Sequence, residues 1–248
     1  MRVRLLIALA LVGVLAGCQE SGFDESRETQ RPLKVQHALD PLTGTKVPGQ
    51  AERPLTLTAD ALGDALALGV TPVGAAYVPP FMKEQARGIE VVPPDDPVVF
   101  EATDPDVILG SKDLQGDDYD VLRQIAPTVL SDGEDWKLNL RLHGEALGRT
   151  NDAEELLIDW DNRVAKVRKA FRGRRVTAVV SQGRSTGEFS LEPGSIGGSI
   201  LDDLGIRKRR GADLALHVTG GAAWTGGGVL AARAALADVA RAAAAAGL

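Results

Sequence analysis

Apolar residues recur at steps of three and four late in this chain, at Ala153, Leu156, Leu157, Trp160, Val164, Val167 and Phe171. A single stripe at that spacing predicts an amphipathic helix of roughly 20 residues, about 30 Å long. Asn151 is its expected N-cap, and Glu154 three residues on completes a capping box. Lys166, Arg168, Lys169 and Arg172 crowd the far end, where the helix dipole favours cations.

Shorter elements flank this helix. Val35-Gln36-His37-Ala38 reads as an edge strand and Pro54-Leu55-Thr56-Leu57 as a second one. Leu62, Ala65 and Leu66 then have helical spacing behind Thr58, a good N-cap, and Gly69 stops the run. Strands are expected at Val70–Ala75, Ile89–Val92 and Pro105–Gly110, and a short helix at Tyr119–Ile125 before Pro127. After the long helix come a strand at Val176–Val180, a helix from Ser195 to Leu204 closed by Gly205, a strand at Leu214–Val218 and an Ala-rich helix from Gly226 to Ala245. Strands alternating with helices predict parallel sheets with crossovers. The pattern is an α/β lobe, a long helix and a smaller α/β lobe.

The first residues follow another rule. A basic head at Arg2 and Arg4, an apolar run from Leu5 to Leu15, and small Ala16 and Gly17 have the three parts of a secretory signal. The run is too short to span a bilayer, which takes about 20 residues. Cys18 is the only cysteine, and Leu15-Ala16-Gly17-Cys18 resembles the bacterial lipobox, in which the cysteine becomes a lipidated N-terminus. The plainer alternative is a chance cysteine in an ordinary signal. Acyl chains of the palmitate type anchor at about 0.8 kcal/mol per buried CH₂. Cys18 is therefore the expected lipid attachment point, on the outer face of the bacterial cytoplasmic membrane, and a disulfide is not expected.

Cleavage before Cys18 leaves 248 − 17 = 231 residues and moves the net charge from −6 to about −8, since Arg2 and Arg4 leave. An acidic balance argues against nucleic acid, which calls for a basic face. Gln19 to Glu52 is mostly polar, and its first part reads as a tether. The expected division is 1–17 signal peptide, 18–51 tether and N-terminal edge, 52–148 first α/β lobe, 149–172 linking helix and 173–248 second α/β lobe.

Several stretches in order carry a family resemblance: VQHA and VPGQAERPLTL, ALGDALALGVTPVG, PDVILG, YDVLRQIAPTV, LHGEALGRTNDAEELLIDWDNRVAKV, GSIGGSILDDLGI and HVTGGAAWTGGGVLAARAALADV. Behind a lipobox, this series resembles the iron-siderophore substrate-binding lipoproteins of bacterial ABC importers. The resemblance implies two Rossmann-like lobes joined by one long helix, with a ferric siderophore bridging them. It also implies an ABC permease as partner, a membrane contact through the lipid anchor, and no cofactor. A monomer is expected. The chain departs from the family after the helix ending DLGI, where only Arg207 to Leu216 fills the place of a strand, helix and strand. The 73 residues from Val176 to the end (248 − 176 + 1) offer two strands, so the second lobe is expected to be shortened.

A cleft between such lobes lies at the carboxyl ends of the strands. Ferric siderophores are bulky and often anionic, so cations and aromatics suit them. The loops in that position supply Tyr77, Lys112, Arg184 and Trp224 as candidate contacts, and Trp136 before the long helix is a fifth; the resemblance itself places a cleft tryptophan at Trp224. Trp160 lies on the apolar stripe and is expected in the core. By resemblance, acidic side chains dock the permease, and Asp117, Asp118 and Asp120 are candidates on the first lobe. No metal site is expected, because His37, His143 and His217 lie in separate segments.

Parts of the sequence also fit other functions. Haem or cobalamin would suit the same fold. A shortened second lobe could also leave a relic that binds nothing. Gly183-Arg184-Ser185-Thr186-Gly187 matches the nucleophile elbow of α/β-hydrolases, with Asp202, Asp203 or Asp213 and then His217 in the same order. That elbow leads straight into a helix, whereas Pro193-Gly194 breaks one here. An enzyme is therefore not expected.

Overall fold

The computed structural model describes residues 31–133, 135–182, 196–206, 214–220, 222–224 and 226–248. Cys18, Arg184, Ser185 and Asp213 lie outside the described residues.

The chain opens on an antiparallel hairpin of β1 (Leu33–His37) and β2 (Asp40–Val47). A five-stranded sheet follows: β3 (Pro54–Thr56), β4 (Gly74–Ala75), β5 (Glu90–Val91), β6 (Val107–Ser111) and β7 (Thr128–Ser131). Its order is β5-β4-β3-β6-β7, and every neighbouring pair is parallel. Parallel sheets are covered on both faces, so their strands are apolar throughout. Val107, Ile108, Leu109, Val129 and Leu130 are accordingly all buried.

The crossovers are α1 (Ala59–Ala67), α2 (Pro97–Ala102), α3 (Lys112–Gln115) and α4 (Tyr119–Ile125). Thr58 Oγ1 accepts from Ala61 N at 3.2 Å, the expected cap of α1, and Gly69 ends it at φ +75°. Asp96 Oδ1 caps α2 through Val98 N and Val99 N.

Two helices then leave the sheet, α5 (Trp136–Ala146) and the long linking helix α6 (Thr150–Ala170). The expected stripe of α6 is the buried one, with Ala153, Leu157, Trp160, Val164 and Phe171 inside. Its expected cap is not. The helix begins at Thr150 behind Arg149, which makes no side-chain cap, so Asn151 lies inside the first turn. Glu154 bonds Arg141 of α5 instead, at 2.7 Å.

The second lobe has β8 (Val176–Gln182) and β9 (Leu214–Gly220), paired in parallel as a two-stranded sheet. With them come α7 (Ile196–Leu204), a 3₁₀ turn at Ala222–Trp224 and the C-terminal helix α8 (Gly228–Ala245). Among the described residues this lobe holds these two strands. It is stabilised by α8, which packs on β9 and α7 and also reaches α1, α5 and α6. One apolar core therefore runs from Val35 and Val47 of the hairpin through Leu140 and Trp160 to Ile200, Leu216 and Val239.

Candidate functional site

In the first sheet the chain runs β3, β4, β5 one way and then crosses to β6 and β7 on the other side of β3. The loops after β3 and β6 therefore diverge, and this switch point at the carboxyl ends of the strands is where open α/β sheets bind ligands. Tyr77 follows β4 and is 54% exposed. Lys112 opens α3 directly after β6, and its Nζ meets Asp132 Oδ1 at 3.0 Å. The β6–α3 corner is held by Gln115, whose Oε1 accepts from Ser111 N at 2.9 Å. The structure thus brings Tyr77 and Lys112 to one edge.

It does not bring the tryptophans there. Trp136 is 2% exposed, its ring edge-on to Trp160 with centroids 5.0 Å apart, and its Nε1 donates to Ser199 Oγ at 3.3 Å. Trp224 is 1% exposed, and its Nε1 donates to Asp238 Oδ2 of α8 at 2.9 Å. Both rings belong to the core, not to a cleft wall, because each buries its apolar body and finds a partner for its one polar atom. Asp117, Asp118 and Asp120 are exposed, with Asp120 paired to Arg123 at 2.8 Å.

The hydrolase pattern loses a member. Asp203 Oδ2 accepts from Trp160 Nε1 at 2.8 Å and pairs with Lys137 Nζ at 2.7 Å, so it binds α5 and α6 to α7. His217 is exposed on β9. Among the described residues no group of three or more His, Cys, Asp or Glu side chains could hold a metal. No helix among them is long and apolar enough to cross a membrane.

One contact between the lobes was not foreseen from the sequence. Asp60 Oδ1 accepts from Gly227 N and from Gly228 N, the latter at 2.9 Å. Asp64 Oδ1 accepts from Val229 N at 2.8 Å. Two carboxylates one turn apart on α1 thus receive the free N–H groups at the start of α8, where the dipole favours negative charge. Asp64 Oδ2 meets His143 Nδ1 of α5 at 2.8 Å. Burial pushes the Asp64 carboxyl up, and the hydrogen bond to His143 pulls it back. The available signal was Asp64 itself, a charge set inside the apolar run of α1.

Two α/β lobes joined by one linking helix define the two-lobe architecture of binding proteins. The chain belongs to the periplasmic binding protein family, whose model matches residues 56–210. It is 31% identical over 221 residues to the probable siderophore-binding lipoprotein YfiY of Bacillus subtilis, covering 82% of this chain and 66% of that protein. Among solved structures, Staphylococcus aureus SirA complexed with staphyloferrin B matches with a TM-score of 0.59 and 27% identity, over 72% of this chain and 65% of that one. The siderophore-binding protein BauB, bound to acinetobactin and ferric iron, is alike in fold, with a TM-score of 0.66 at 17% identity over 86% and 99% of the two chains. The chain spans about two-thirds of the length of YfiY and of SirA.

Proposed function

We propose that this chain binds a ferric siderophore outside the cytoplasm and delivers it to an ABC permease. The observation that carries this reading is the identity with YfiY over four-fifths of the chain; an exposed Tyr77 after β4 and Lys112 after β6 support it. Binding is the whole of its chemistry, and no bond is made or broken. Tyr77 lays its ring on the ligand. Lys112 exchanges Asp132, a surface pair of small net worth, for an anionic oxygen of the complex. Arg184 adds a second cation from the other lobe. The monomeric protein is held at the membrane by lipid on Cys18, and Asp117, Asp118 and Asp120 face the permease.

The second sheet, two-stranded among the described residues, is the observation that favours a rival, a relic without ligand. Growth of the source bacterium on single ferric siderophores separates the two. Deleting the gene abolishes use of one siderophore, the wild-type gene restores it, and Cys18→Ala leaves the protein off the membrane and lowers uptake. Unchanged growth of the deletion strain on every siderophore tested contradicts the import role.

A further inference from the structure

A cavity of about 460 Å³ opens between the β1–β2 hairpin, the end of β7 and the first half of α5. Its size is that of a small-molecule site, for which about 300–1,000 Å³ is usual. It lies at the β7 edge of the sheet, one strand beyond the switch point. The hairpin makes one wall, and Ala38 N fixes it to β7 by donating to Leu130 O at 3.0 Å.

The lining has an unfinished polar group. Asn139 is 4% exposed, yet its amide Nδ2 has no hydrogen-bond partner. Buried side-chain polar atoms are nearly always bonded, and an orphan costs about 1–3 kcal/mol.

The lining also has one sign of charge. Asp132 and Asp135 contribute carboxylates, and among the described residues no lysine or arginine lines the cavity. Asp135 uses Oδ1 to cap α5, accepting from Lys137 N at 2.8 Å and Leu138 N at 3.4 Å, which leaves Oδ2 for a ligand. The cations nearby are engaged elsewhere: Lys137 on Asp203 and Arg141 on Glu154. Lys112 meets Asp132 from outside and offsets part of one charge. His37 brings no charge near neutral pH, because burial holds its pKa below the usual value. Its Nδ1 accepts from Leu39 N and Leu130 N, which requires that nitrogen bare. Ala38, Pro41, Leu138 and Leu142 add apolar surface, and Gln36 a neutral amide.

We propose that this cavity is a second ligand site, for a small organic ammonium ion that carries an apolar body and one hydrogen-bonding group. Asp132 and Asp135 hold the ammonium, Pro41 and Leu142 cover the body, and Asn139 answers the remaining polar group. The site shares Asp132 with the Lys112 ion pair, and Tyr77→Ala tells the two sites apart.

Tyramine has these three features and serves as the probe. Its comparators keep the phenol ring and replace the ammonium with a hydroxyl, in tyrosol, or with a carboxylate, in 3-(4-hydroxyphenyl)propionate. Titration of the full chain by calorimetry is expected to give saturable tyramine binding, at least about fivefold weaker for tyrosol and undetectable for the acid. Asp132→Asn, at an exposed position, weakens tyramine about fivefold with no change in melting. Asn139→Ala weakens it as well, while Tyr77→Ala does not alter it. Absence of saturable tyramine binding, equal binding of all three compounds, or wild-type affinity in Asp132→Asn overturns the proposal. So does loss of tyramine binding in Tyr77→Ala, which places the probe at the switch point.

Discussion

Asp64 and His143 meet at 2.8 Å with both side chains wholly inside the protein. The carboxylate also receives Val229 N, so one residue ties α1 to α5 and to the start of α8. Removing one member of a buried pair leaves the other without compensation, at about 3–5 kcal/mol. Asp64→Ala is therefore expected to lower the unfolding free energy by that amount in urea titrations, and Asp64→Asn by less. A wild-type midpoint in Asp64→Ala contradicts the role given to this pair.

Gly63 gives a prediction whose sign is the test. Glycine to alanine inside a helix normally gains about 1 kcal/mol. Here a Cβ would collide with the Gly227 carbonyl oxygen, where α1 meets the loop before α8. Gly63→Ala should instead cost about 1–3 kcal/mol, the usual penalty of overpacking. A rise in melting temperature would show that the two lobes do not touch there.

His37 makes stability depend on pH. Its Nδ1 accepts two backbone N–H groups, its Nε2 reaches Thr45 Oγ1 at 2.9 Å, and burial lowers its pKa from the ordinary 6.5, against a smaller upward pull from Asp40. A histidine with a depressed folded pKa contributes stability above about pH 6.5 and loses it as the pH falls through 6.5 toward the folded value. The melting temperature is expected to drop between pH 7 and pH 5, and less so in His37→Gln. Identical slopes for the two proteins contradict this assignment.

Trp224 separates core from cleft. With the ring buried and bonded to Asp238, Trp224→Phe should cost about 1 kcal/mol of stability through the lost hydrogen bond and leave ligand affinity unchanged. A large loss of affinity with unchanged melting would return this residue to the binding surface.

Periodicity made much of this fold legible. The stripe of α6, the Thr58 cap of α1 and the turns of α4 are local signals, and the structure keeps them. β2 was hidden because Asp40, Pro41, Thr43 and Gly44 give it the composition of a loop, and only Val47 at its end is buried. β7 is four residues long and buried throughout, too short to show a period. α5 was masked by Asn139 and His143, polar residues on its buried face, whose partner or cavity is built from segments distant in sequence. Tryptophans beside loops read as cleft residues for a similar reason. Ser199 and Asp238, which satisfy Trp136 and Trp224, are visible only in three dimensions.

The central claim is that the switch point at Tyr77 and Lys112 takes a ferric siderophore. Its most direct test is quenching of the intrinsic tryptophan fluorescence of the full chain by ferric hydroxamate, catecholate and carboxylate complexes, with haem and cobalamin as competitors for the assignment. The account predicts saturable quenching by one ferric complex, weakened about tenfold or more in Tyr77→Ala/Lys112→Ala with unchanged melting. Saturation by haem or cobalamin alone, or a folded protein that responds to none of the five, would contradict it.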